Sequence, residues 1–116
     1  MRVLVTLSPQ MYREAVAASI QHARPGIEVR AAHPEDAEVE LAGFRPHLLV
    51  HNDTAPIPQK ALEGVPTRVE ILYSDSMDAR VMAGGMVYQV RDISTEALLR
   101  TVAVAATVDD LGGGLV

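Results

Sequence analysis

Several side chains in this sequence are of types that do chemistry. His47, His51 and Asp53 fall at even spacings, so along one extended strand they share a face and present two imidazoles and a carboxylate to a metal ion. No further carboxylate or histidine stands beside them. The plainer expectation is His47 at a strand entrance, His51 as a hydrogen-bonded, semi-buried histidine, and Asp53 capping a turn or pairing with Arg91. His22 and His33 read as surface or cap positions. Arg91 and a helix opening at Ser8 offer a cation and a helix N-terminus, both suited to an anion. Gly84-Gly85 precedes a strand pattern, whereas a phosphate-cradling loop follows a strand and opens a helix, so this pair reads as a helix end or tight turn. There is no cysteine, which excludes disulfides, zinc-thiolate sites and thiol catalysis. No nucleophile–base pair is placed by sequence, so no enzymatic activity is expected.

The elements that must position these residues alternate. Arg2 to Leu7 is an apolar, β-branched run of the kind buried in a parallel sheet. Ser8-Pro9 reads as an N-cap with a first-turn proline, followed by a helix whose Tyr12, Ala15, Val16, Ile20 and Ala23 share a face with the small Ser19 and which stops at Pro25-Gly26. Ile27 to Ala32 is a second strand. Pro34-Glu35-Asp36 opens a second helix, ended by Gly43. His47 to His51 is a third strand, Asn52 to Pro58 a loop, and Gln59 to Glu63 a short helix closed by Gly64 and Pro66. Arg68 to Tyr73 is a fourth strand, Ser76 to Ala83 about two helical turns, and Met86 to Val90 a fifth strand. Ser94 caps a last helix reaching roughly Val108.

Five strand–helix alternations predict a parallel sheet with right-handed crossovers and helices on both faces. Such sheets bind ligands at the carboxyl ends of the strands. The length, 116 residues, suits one domain, here 1–109 with a flexible Gly-rich tail at 110–116. Apolar residues make up 48% and charged residues 22%, a globular balance, but aromatics are only 3%, so Val, Leu, Ile, Ala and Met must build the core. Met77, Met82 and Met86 around the fourth crossover read first as gap-fillers, with an adaptable binding surface as the alternative. Ten basic against fifteen acidic side chains give a net charge of −5 and no basic patch, which argues against direct nucleic-acid binding. No apolar run approaches the ~20 residues of a membrane span, and Met1 enters a strand pattern at once, so a cytoplasmic location is expected.

The local sequence narrows the fold. Arg2-Val3-Leu4-Val5, Arg13-Glu14-Ala15-Val16, Pro46-His47-Leu48-Leu49-Val50, the stretch from Ala83 to Ser94 and Ser94-Thr95-Glu96-Ala97-Leu98-Leu99 occur in the order and spacing of a family pattern. Over about residues 2–108 the chain resembles the receiver domains of two-component response regulators, most of all those of helix-turn-helix transcription factors. The segment between the fourth and fifth strands is shorter than in that family. The resemblance implies a flavodoxin-like, CheY-like α/β fold: three layers around a five-stranded parallel sheet of order 2-1-3-4-5, with a shortened fourth crossover. It also locates the family's phosphoryl-transfer positions. The magnesium-holding acidic pair falls on Leu7 and Ser8, the acceptor aspartate on Asn52, the switch hydroxyl on Tyr73 or Ser74, and the lysine on Arg91. Neither Leu7 nor Ser8 supplies a charged oxygen, an amide is a poor nucleophile, and arginine does not stand in for an ammonium.

The implied function is therefore that of a degenerate, phosphorylation-independent receiver-like module. It would act in signal transduction or transcription regulation through protein–protein contact, without metal or cofactor. The last helix fits such contact. Leu98, Val102 and Ala105 form its sheet-facing stripe, while Thr101, Val104 and Val108 add apolar surface on another side. The resemblance implies a homodimer through this helix and the fifth strand, or docking onto a signalling or transcription partner. Two other readings stand beside it: a regulatory module holding an anion or small molecule near Ser8, Asn52, Ser74 and Arg91, and an atypical regulator phosphorylated at Asp53. In the last, a one-residue shift turns the side chain to the other side of the strand.

Overall fold

A computed structural model describes residues 1–72, 78–83, 85–91, 94 and 96–105. Among these, β1 (Arg2–Val5), β2 (Glu28–Ala31), β3 (Leu48–Asn52), β4 (Thr67–Ile71), β5 (Ala79–Ala83) and β6 (Met86–Val90) form one sheet of order β2-β1-β3-β4-β5-β6. β1 pairs in parallel with β2 and β3, and β3 with β4, the register running Val5↔Val50 and Val50↔Val69. The helices are α1 (Gln10–Ala23), α2 (Ala37–Phe44), α3 (Gln59–Glu63) and a last helix, α4, whose described part covers residues 96–105.

The α/β class and the 2-1-3-4 strand order match the sequence-based expectation; the far end of the sheet does not. Ser76 to Ala83 was expected to be helical. Residues 79–83 are instead a strand, antiparallel to β4 with Thr67↔Ala83 and Ile71↔Ala79 in register. β6 then returns antiparallel to β5. The sheet is mixed and six-stranded, and the expected fifth strand runs in the predicted direction but one position farther out. The reason is a two-residue period: Ala79 and Val81 point into the core and Arg80 is exposed. Gly85, at φ 80°, closes the hairpin in a conformation that side chains resist.

Other boundaries differ by local chemistry. α1 begins at Gln10 with Pro9, which has no side-chain acceptor, in the cap position, while the Ser8 N–H donates to Asn52 Oδ1. Gly43 lies inside α2; the left-handed residue that ends this helix is Arg45, at φ 52°. A 3-10 turn at Pro34–Asp36 precedes α2, with the His33 ring accepting from the Glu35 N–H at 3.3 Å. Ser94 does cap α4: its Oγ accepts from the Ala97 N–H at 3.1 Å.

β1 and β3 are covered on both faces. On one, Val3, Val5, Leu7, Leu48, Val50 and Val69 pack under α1 and α4, whose Val16, Ile20, Leu98 and Val102 meet them. On the other, Leu4 and Leu49 pack with Leu41 and Phe44 of α2 and Leu62 of α3. This dry scaffold fixes the carboxyl ends of β1, β3 and β4 relative to one another.

Candidate functional site at the carboxyl ends of the strands

Asn52, the last residue of β3, is 4% exposed. It shares parity with Leu48 and Val50, so it points to the α1 face. Its Oδ1 accepts from the Ser8 N–H at 2.8 Å, and its Nδ2 lies 3.5 Å from the Ile71 carbonyl oxygen. One amide thereby ties the β1–α1 loop to the ends of β3 and β4. A carboxylate at this position would keep the first contact and lose the second, because it has no hydrogen to donate to Ile71. Asparagine is thus matched to a crosslinking role.

Leu7 is fully buried in the core cluster of the α1 face. Its carbonyl accepts from Nη1 of Arg13 at 3.3 Å, and Arg13 itself is only 8% exposed. This buried guanidinium belongs to the site and sequence reasoning did not single it out. The signal was present: 13, 16 and 20 make one helical stripe, and Arg13 is the cation on it.

Beside this latch runs a polar row on the opposite face. The Thr6 N–H donates to the Val50 carbonyl at 2.9 Å, continuing the β1 register so that Thr6 flanks His51. His51 in turn faces Glu70 across β4, and Glu70 pairs with Arg80 of β5. His51 Nδ1 is 3.0 Å from the Asn52 carbonyl oxygen, which selects the tautomer with the proton on Nδ1. His51 Nε2 and Thr6 Oγ1 are both buried with no protein partner among the described residues. Burial holds the His51 pKa below its ordinary value, against the opposing pull of the Asn52 carbonyl and Glu70.

The remaining sequence-derived positions scatter. Asp53 is exposed, and its N–H donates to the Ile71 carbonyl at 3.1 Å. Arg91 follows β6, three strand spacings from β3, or about 14 Å. The structure therefore brings Leu7, Ser8 and Asn52 together and leaves Arg91 apart, because the β5 strand intervenes. Tyr73 and Ser74 lie outside the described residues, as do Val108 and the Gly-rich tail. His47 is not free for a metal: its Nδ1 accepts from the Arg2 N–H at 2.9 Å at the other end of the sheet. Among the described residues no cluster of three histidine or acidic side chains is arranged to hold a metal ion.

Of the residues expected at an interface, Val104 is 61% exposed and Thr101 half-buried, while Leu98 and Val102 are buried as the stripe required. Both interface residues line an apolar cavity of about 300 Å³ between α4 and the outer strands, shared with Val81 and Tyr88. Among the described residues no helix is long and apolar enough to cross a membrane. No family model, no curated protein and no solved structure matches the chain.

Proposed function

We propose that this domain is a non-catalytic, receiver-like interaction module whose strand-end site is closed by its own side chains. The observation that carries this reading is the Asn52 latch. The residue at the acceptor position is a buried amide with its oxygen bonded to Ser8 and its nitrogen directed at Ile71. Leu7 beside it is core. The acceptor position itself offers no carboxylate nucleophile, and Leu7 and Ser8 offer no pair of acids to hold magnesium. The flavodoxin-like arrangement survives in the β2-β1-β3-β4 half as a scaffold for presenting surfaces, in signalling or transcription regulation by contact with protein.

The test is phosphoryl labelling. Incubation with magnesium and a small phosphodonor such as acetyl phosphate, followed by intact-mass spectrometry, should give no acyl-phosphate adduct. An adduct lost in Asp53→Ala would replace this reading with that of a working regulator. The anion-binding reading has less support, since Arg91, its main cation, sits at the far side of the sheet.

A further inference from the structure

A cavity between α2 and α3 lies at the amino ends of the strands, at the opposite pole of the sheet from the Asn52 latch. We propose that it binds a small monocarboxylate with an apolar tail, its carboxylate at Arg45 and its tail running along α2 toward Glu38.

The cavity has a volume of about 460 Å³, within the range of small-molecule sites. Glu38, Leu41, Ala42 and Arg45 line it from α2 and its C-cap. Their spacing of i, i+3, i+4 and i+7 makes one face of one helix. Ala61 of α3 and Val65 just after α3 form the facing wall. Leu41 belongs to the core cluster of this face of the sheet, and Ala61 and Val65 pack against the same cluster. The walls are therefore apolar and fixed by the core behind them.

Charge is placed at the two ends. Arg45 stands at one and Glu38 at the other, about 10 Å apart along the helix axis. Neither takes part in an ion pair among the described residues. The chain carries a net charge of −5, so the molecule as a whole does not draw anions, and one entering here depends on the local cation.

The backbone singles out Arg45. It sits at φ 52° and ψ 63°, a left-handed conformation that glycine adopts freely and arginine does not. The glycine of this segment is Gly43, two residues earlier and inside α2. Arg2 braces the turn. Its Nε donates to the Phe44 carbonyl at 2.9 Å, and its Nε and Nη2 donate to the Arg45 carbonyl at 3.0 and 2.8 Å. A side chain held at a backbone position that disfavours it points to a task for its guanidinium, whose planar fork matches a carboxylate. Arg45 is exposed, so water weakens that contact and the apolar walls supply most of the affinity. Glu38 sets the specificity, because it repels a second carboxylate at the far end.

Amide NMR titration of the full chain with sodium octanoate tests this. Saturable shifts should centre on Leu41, Ala42, Ala61 and Val65, with a Kd of about 1 mM or below. Suberate, of the same length with a carboxylate at each end, should bind about 10-fold more weakly or worse, and Glu38→Gln should close that gap. Arg45→Gly suits the left-handed backbone, so it should fold as the wild type does by circular dichroism while losing about 10-fold or more in octanoate affinity. Ala42→Phe, at an exposed helix position on the cavity wall, should block binding with the fold intact. The proposal is overturned by the absence of saturable shifts up to about 10 mM octanoate, or by shifts centred elsewhere. It is equally overturned by a folded Arg45→Gly that binds as the wild type does, or by suberate binding as well as octanoate. None of these results bears on the closed strand-end site, which phosphoryl labelling tests separately.

Discussion

The inner edge of this sheet and its outer edge meet water in opposite ways. β2 is short, with Glu28 and Arg30 on it. Arg30 pairs with Glu40 of α2 at 3.0 Å and stacks 4.5 Å from the centre of the Phe44 ring, so a charged, roofed edge faces solvent. β6 is uncharged, and three of its large side chains are exposed. The difference follows from topology. A parallel strand must be reached by a crossover, and the crossover segment covers it. A hairpin adds strands without bringing any cover. Among the described residues, β5 stands where a helical crossover was expected, and an uncharged strand forms this edge of the sheet.

Substitutions in the two regions should differ accordingly. Leu49→Ala, in the fully buried centre of β3, should cost about 2–5 kcal/mol in chemical denaturation. Val87→Ala on β6 should stay within about 0.5 kcal/mol, measured at a protein concentration where association does not contribute. Equal costs would mean that β6 is as well packed as the core. Asn52→Asp keeps the shape of the latch but removes the donor directed at Ile71 and buries a charge. It should destabilise by about 1–3 kcal/mol at neutral pH without making the protein phosphorylatable. Arg30→Ala removes an exposed ion pair and should cost under about 1 kcal/mol, read from the same denaturation curves.

The pH dependence should come from the polar row. The folded-state pKa of His51 is lowered by burial, so the unfolded chain binds the proton more readily. The histidine's contribution to stability is fully present above the unfolded pKa of about 6.5 and is lost as pH falls from there toward the folded value. Urea titrations across that window should show stability falling toward acid, and His51→Gln should flatten the slope.

Much of the parallel half was legible in the sequence. The apolar runs at Arg2–Val5 and Leu48–Val50 announce strands buried on both faces, and the stripe through Val16 and Ile20 announces α1. The hairpin was not read, although its signals were there. Ala79, Val81 and Ala83 alternate with Arg80 and Met82, and Gly84-Gly85 joins two such runs. Eight residues that suit either two helical turns or one strand are decided by what lies beside them, here the free edge of β4. At the site, the positions of Leu7, Ser8 and Asn52 followed from the strand ends, but the direction of the Ser8 N–H did not. A Ser-Pro pair suits a helix cap, but the structure sets Pro9 in the cap position and bonds the Ser8 N–H to the Asn52 side chain. Arg91 was misplaced relative to β3 for the same reason as the hairpin, since an unread strand moves everything after it by one position.

The account rests most heavily on the closed strand-end site, and amide NMR spectra with and without magnesium and beryllofluoride, a mimic of the aspartyl phosphate, test it most directly. The amides of Ser8, Asn52 and Asp53 should keep their positions throughout the titration, as expected of a latch with no carboxylate to receive the mimic. Saturable shifts confined to those residues would mean that the site accepts a phosphoryl group, and the reading of this domain as a non-catalytic module would be wrong.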